Sequence, residues 1–384
     1  MACNICHTDK SPEWSQRSID KTHNREYQDG TIKAGLLIKE ARRGDWERLA
    51  EITSGLTAGE FDPVFKTSFL RLLENCEDPA KWDAVLEMTG DPSPLVRSAA
   101  AHSLAYNYSE EAYLKLFQLT DDEYRLVRLN AGYSLATYPA NYFTPGDSAE
   151  VNSSIREYRV SLTSRPDDWS SYYNLGNFYV NRGDYQAALS SYSIALRLFP
   201  GAVMPLVNSG YIYSLTGRDT EAEVAFQEAL ASSPDHPAAL LNLALLYGEQ
   251  GRVTEAEAYF RRLLTVSPEN SVAAYNLGII VSGNDPSEAL KFSKMAYEWN
   301  PGEPRYLYTY SYFLYREGEA DEAIELLEEL IEFSPVYPDA FFLLASIYRD
   351  RGDEKKVAQV MDMLLNEKIV TEETRASARR FKER

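Results

Sequence analysis

Cysteine is scarce in this 384-residue chain. Three residues, Cys3, Cys6 and Cys76, are too few for a disulfide framework. The four histidines, His7, His23, His102 and His236, are scattered. No apolar run reaches the length that spans a bilayer, which excludes membrane insertion. The opening MACNICHTDKSPEW has neither a basic nor an apolar leader region and reads as carrying no secretory signal. Catalytic signatures are missing too: there is no G-x-S-x-G, P-loop, H-E-x-x-H or dinucleotide fingerprint. Paired carboxylates such as Glu328-Glu329 fall on solvated helix faces, so the expectation is a protein that is not an enzyme.

Positive charge is in short supply. Lys and Arg number 39 against 58 Asp and Glu, a net charge of −19. Residues 1–48 and 369–384 are nearly balanced, so the middle holds 25 basic against 47 acidic side chains. Such a body repels nucleic acid and anionic membrane, and the expected partner is a protein or peptide.

What the chain does have is repetition. Ser170 to Pro200 reads as two short amphipathic helices around Asn181-Arg182-Gly183-Asp184, with Leu175, Gly176 and Tyr179 on the first and Ala188, Tyr192 and Ala195 on the second. The pattern returns after 34 residues as Gly210, Tyr213, Ala222, Phe226, Ala229 and Pro234, and again as Leu243, Ala244, Tyr247, Ala256, Phe260 and Pro268. A 34-residue period with small residues where helices touch and Pro at the exits is the tetratricopeptide (TPR) signature. Six units begin near Trp169, Val203, Pro237, Ser271, Pro304 and Pro338; the fourth is one residue short, at Gly283-Asn284-Asp285.

A second period precedes them. Phe65-Lys66, Val96-Arg97 and Val127-Arg128 are 31 residues apart, Leu73, Leu104 and Leu135 keep the register, and Asp91 and Asp122 open their units. D-x-x-x-x-V-R before an Ala/Leu helix resembles short HEAT-type repeats. The spacing predicts that a basic side chain of each repeat meets the acidic turn of a neighbour. His102 and Cys76 read as helix-packing residues. Pro139 to Ser148 is rich in helix breakers, and Val151 to Ser164 supplies one helix, the second half of an incomplete TPR unit.

The fold expected is all-α: a helical-repeat solenoid of short HEAT-like repeats followed by a TPR superhelix. It divides into an N-terminal segment 1–30, HEAT-like repeats 31–138, a junction and half-repeat cap 139–168, six TPR units 169–370 and a charged tail 371–384 that frays. Within the first segment Ser11-Pro12 starts a helix that Asp29-Gly30 ends, and Lys33 to Arg43 pairs with Trp46 to Thr53 around Gly44-Asp45.

Two sets of residues stand out as sites. The first is Cys3-Asn4-Ile5-Cys6-His7, a C-x-x-C-H haem-attachment pattern. Two thiols at this spacing add across the two vinyl groups of one haem edge, and the adjacent His reaches the iron. The pentapeptide also occurs as half of a zinc site, which needs four ligands, and as a vestigial motif. The second set is a column on the first helix of successive TPR units, Asn174, Asn208, Asn242 and Asn276, with Tyr173, Tyr211, Tyr275, Tyr308 and Tyr312 beside it. An Asn amide offers donor and acceptor to the backbone of an extended peptide whatever its sequence, and aromatic residues anchor partners. The column resembles the asparagine ladder in the TPR superhelix of the nucleocytoplasmic glycosyltransferase that modifies Ser and Thr. No Lys/Arg cluster falls in these columns, so the groove reads as neutral to acidic.

The order of C-x-x-C-H, Asp9 to Trp14 (D-K-S-P-E-W), HEAT-type repeats and TPR units resembles the C-terminal portion of bacterial multihaem c-type cytochromes that carry HEAT and TPR repeats. The resemblance implies one haem c held by Cys3 and Cys6 with His7 on its iron, a location outside the cytoplasm, and an upstream or separate multihaem domain as partner. His23 is the nearest candidate for a sixth iron ligand. The function expected is an interaction scaffold that binds an extended partner segment in its concave groove, associated with a haem electron-transfer domain. The alternatives are a haem-c electron-transfer module and a cytoplasmic TPR adaptor with a vestigial C-x-x-C-H.

Overall fold

The computed structural model describes residues 11, 14, 26–138, 142, 146, 148–334, 337–367 and 370–383. Cys3, Cys6, His7 and His23 lie outside the described residues. The chain is an all-α helical-repeat solenoid, with no strand among the described residues. It forms two compact units that divide between Leu198 and Phe199, inside the run of TPR units.

The first unit contains α1 (Glu26–Ala41), α2 (Leu49–Thr57), α3 (Pro63–Leu73), a 3-10 turn (Pro79–Lys81) leading into α4 (Trp82–Met88), α5 (Pro94–Ser103), α6 (Glu110–Leu119), α7 (Arg125–Leu135), α8 (Ser148–Leu162), α9 (Trp169–Asn181) and α10 (Tyr185–Leu198). One continuous core runs from Ala34 to Phe178. The expected break at Asp29-Gly30 does not occur, because α1 runs straight through it. An exposed helical Gly costs only about 1 kcal/mol, and burial of Ala34, Leu37 and Ala41 on the same helix outweighs that. At the other marked start, Ser11 Oγ accepts the Trp14 N–H at 3.3 Å, as an N-cap should.

The 31-residue period is written in ion pairs. Lys66 Nζ lies 2.7 Å from Asp91 Oδ2. Arg97 grips both oxygens of Asp122, at 2.8 and 3.1 Å. Each aspartate also closes its own turn: Asp91 accepts from the Ser93 N–H and Asp122 from the Tyr124 N–H, both at 2.8 Å. Arg97 and Arg128 further donate to the carbonyls of Asp91 and Asp122, both at 2.9 Å. Helix α8 ends this ladder, since Arg128 pairs at 3.1 Å with Glu157 on it rather than with another turn. Gly132 on α7 admits α8: a Cβ there would stand 2.5 Å from the Ser154 carbonyl oxygen. Helix α8 therefore completes the HEAT ladder as well as preceding the first TPR helix.

The second unit contains α11 (Val203–Leu215), α12 (Asp219–Ser232), α13 (Pro237–Glu249), α14 (Val253–Val266), α15 (Ser271–Val281), α16 (Pro286–Trp299), α17 (Pro304–Arg316), α18 (Ala320–Phe333), α19 (Pro338–Asp350), α20 (Glu354–Asn366) and α21 (Glu372–Glu383). The first helices start at the residues where the 34-residue period places them. Gly210 lies against the Phe226 ring, where a Cβ would come within 2.5 Å, so the small residue sets how close α11 and α12 approach. The turn between them passes through Gly217 in the left-handed region, φ +71°, and Gly251 does the same one unit on. The shortened fourth unit has no left-handed glycine in its turn; Asp285 instead caps α16 by accepting the Glu288 N–H at 2.9 Å.

The charged C-terminal segment does not fray as expected. Helix α21 docks: Ala378 is fully buried, Phe381 meets Phe342 with ring centroids 5.7 Å apart, and the Arg349 guanidinium donates to the Phe381 carbonyl at 2.6 Å. Lys382 adds an ion pair to Asp362 at 2.6 Å. Ala378 and Phe381, three residues apart, share a face, so a segment with few apolar residues still presents them together.

Candidate partner-binding site

Three of the four asparagines lie in the second unit on successive first helices, Asn208 on α11, Asn242 on α13 and Asn276 on α15, all half-buried. Asn174, on α9 of the first unit, is exposed. Asn242 and Asn276 each donate one amide N–H to the carbonyl four residues back, Ala238 and Val272, both at 2.8 Å. That bond fixes the rotamer and leaves the second N–H and the amide oxygen for a partner. The column stops at α17, where Thr309 takes the equivalent place and is buried.

The tyrosines converge more sharply. Tyr275 on α15, Tyr308 and Tyr312 on α17, and Tyr337 just before α19 line a cavity of about 460 Å³, floored by Ile279 and Phe313. Tyr275 packs on Tyr306 at 5.0 Å and Tyr308 on Tyr337 at 5.5 Å between ring centroids. Burial pushes the Tyr308 hydroxyl up and raises Tyr337 to about 12, so both stay protonated donors at neutral pH. Tyr211 is half exposed on α11, and Tyr173 in the first unit leans on Trp169 and Tyr192.

Charged side chains of both signs line this cavity. Arg305, Arg316 and Glu317 line it, from positions outside the asparagine and tyrosine columns. Arg305 is neutralised by Glu303 at 2.9 Å, and the same pairing holds the Glu303 carboxyl below its usual value. Arg316 donates to the Tyr312 hydroxyl at 3.0 Å and meets no carboxylate among the described residues. Column-by-column reading missed it, because Arg316 sits four residues beyond Tyr312, one helical turn along the same face.

The remaining singled-out side chains are structural. His102 Nδ1 meets Glu74 at 2.9 Å and its ring stacks on Tyr133 at 4.4 Å. Cys76 is buried, and its carbonyl and that of Leu73 both accept from Lys81 Nζ, the latter at 2.8 Å. Burial holds the Lys81 ammonium below the usual lysine value. Among the described residues no group of three His, Cys, Asp or Glu could hold a metal, and no helix is long and apolar enough to cross a membrane.

This architecture is that of a helical-repeat protein, and comparison with known families gives the repeats their names. Residues 49–136 match HEAT repeats, and residues 169–202, 216–274 and 314–367 match tetratricopeptide repeats. The chain thus carries both kinds, which are characteristically modules of protein–protein interaction. Among solved structures it is similar to PilF of Pseudomonas aeruginosa, 19% identical, with 58% of this chain and 98% of that one covered and a TM-score of 0.47. PilW, a type IV pilus biogenesis factor, is 21% identical over 54% of this chain and 97% of that one, TM-score 0.45. YrrB, a TPR protein with an unusual peptide-binding site, is 20% identical over 48% and 95%, TM-score 0.41. No curated protein matches the sequence.

Proposed function

We propose that this chain is a non-catalytic scaffold whose TPR helices bind an extended partner segment, with an apolar or aromatic side chain of that segment seated among Tyr275, Tyr308, Tyr312 and Tyr337. The carrying observation is the convergence of four tyrosines, from two successive repeats and the loop into a third, on one cavity of about 460 Å³. That volume lies within the roughly 300–1,000 Å³ of ordinary ligand pockets and suits a single large side chain with its neighbours. Asn208, Asn242 and Asn276 would pair with the segment's backbone, which supplies affinity without sequence preference. The tyrosine cavity would supply the preference.

Peptide selection on a random library tests this directly. Enriched peptides should share an aromatic or large aliphatic position, and Tyr312→Ala together with Asn242→Ala should weaken their binding at least about tenfold, roughly 1.4 kcal/mol. A library that yields no enrichment, or peptides that bind the double variant unchanged, overturns the assignment.

A second reading rests on the Cys3-Asn4-Ile5-Cys6-His7 spacing. In it the two thiols carry one haem c, His7 ligates the iron, and the scaffold works outside the cytoplasm beside a multihaem electron-transfer partner. Protein matured in a host that attaches c-type haem should show a visible haem spectrum and an intact mass raised by one haem, both abolished by changing Cys3 and Cys6 to Ser. An apo mass from that host removes the haem and leaves the scaffold.

A further inference from the structure

Four arginines of the first unit are held in ion pairs. Arg48 pairs with Glu40 and Glu51, Arg97 with Asp122, and Arg125 and Arg128 with Glu157. Arg156 and Arg159 on α8 and Arg182 at the end of α9 are different. All three line one cavity of about 600 Å³, and none has a carboxylate partner among the described residues. What separates them from other arginines without a carboxylate, such as Arg71, is that they share one cavity.

The placement follows from the helices. Asn152, Ile155, Arg156 and Arg159 form a single i, i+3, i+4, i+7 stripe of α8, distinct from the Ser154 and Glu157 stripe that meets α7. Ile155 is buried against the core while both arginines reach outward beside the last turn of α9. There Arg182 stands over the Phe178 ring, 5.9 Å from its centroid, which limits its freedom. Asp184 is the one carboxylate at the cavity, and its oxygen is engaged in capping α10 through the Ala187 N–H at 3.0 Å. An anion in the cavity would meet all three guanidinium groups at once.

We propose that Arg156, Arg159 and Arg182 form a binding site for a small, free, phosphate-bearing anion. Guanidinium forks match phosphate oxygens two at a time, and three of them around one cavity suit two or more negative charges. The size exceeds that of bare phosphate and admits a small organic phosphate or a diphosphate. An extended polyanion is disfavoured, because the acidic remainder of the chain repels it over its whole length. A compact anion is neutralised within the cavity, and at physiological salt the surrounding charge is screened beyond about 8 Å.

Calorimetric titration of the full chain with inorganic pyrophosphate tests the site. Saturable binding is expected, weakened at least about tenfold in the Arg156→Ala, Arg159→Ala double variant and restored in part by Lys at both positions, since charge survives but the fork does not. The arginines are exposed, so the variants should melt with the parent protein, and the peptide binding proposed above, in the other unit, should be untouched. Absence of pyrophosphate binding, or binding indifferent to the double variant, overturns the proposal. Binding to phosphatidylglycerol vesicles or single-stranded DNA without binding to pyrophosphate also overturns it, in favour of a docking surface.

Discussion

Arg97 ties one repeat to the next and Gly210 ties two helices within a repeat, and the two contacts work by opposite means. Around Arg97 a long cation crosses from one repeat to the acidic turn of the next, with both partners almost withdrawn from water, side chains 14% and 8% exposed. Around Gly210 there is no side chain at all, and the Phe226 ring occupies the space a Cβ would need. The first contact depends on charge and direction, the second on volume. A charge contact tolerates some change of size but not loss of a partner; a volume contact behaves the other way round.

The largest effect should come from removing one end of the ladder. Arg97→Ala leaves Asp122 nearly buried and unpaired, and should cost about 2 to 3 kcal/mol, seen as early loss of hydrogen-exchange protection in α5 and α7. Arg97→Met, which keeps the volume, should do no better, because volume is not what the contact uses. Next in size is Gly210→Ala. One methyl pressed into the Phe226 ring should cost about 1 to 2 kcal/mol in urea denaturation, and Phe226→Leu in the same chain should recover part of it. If Gly210→Ala were neutral, close approach would not be what holds α11 to α12.

Acid sharpens the contrast further. Burial works against the Asp122 carboxylate, but the Arg97 guanidinium and the Tyr124 N–H hold it below its usual value; Arg128 and Arg125 do the same for Glu157, where burial opposes less. Groups with depressed folded values contribute their full stability above the ordinary carboxylate range and lose it as pH falls through the folded value. Protection of α5, α7 and α8 should therefore fall below about pH 4, and Asp122→Asn should flatten that dependence. The smallest difference expected is between glycines in the corresponding turns of the second and fourth TPR units. Gly217→Ala should cost about 1 kcal/mol because its φ is positive, while Gly283→Ala, in a turn with open space and ordinary φ, should stay within about 0.5 kcal/mol.

Periodicity made most of this architecture readable from the sequence. The 34- and 31-residue registers place small residues, aromatics and Asp/Arg pairs at fixed offsets, and such offsets survive folding because each repeat touches mainly its neighbours. What escaped was non-periodic. Helix α1 crosses Asp29-Gly30 because tertiary burial outweighs a local breaker. Helix α21 docks through Ala378 and Phe381, too sparse a signal in a charged stretch. At the tyrosine cavity, Tyr275, Tyr308 and Tyr312 were visible in the column, but Arg316 and Tyr337 enter from a neighbouring turn and a loop. Cys3, Cys6 and His7 lie outside the described residues, and the haem chemistry read from their spacing stands as a proposal.

Helix α21 also bears on how copies of the protein behave together. The last pair of a repeat array presents half of an interface, and two molecules can satisfy that half in each other as readily as one molecule satisfies it within itself. Phe381 and Ala378 fill that half from the same chain, with Lys382 on Asp362 fastening the edge. A segment tethered in the same chain is present at high effective concentration, which favours this intramolecular packing. The residues that look most like a solvated tail thus shield apolar surface of the preceding repeat with side chains of the same chain.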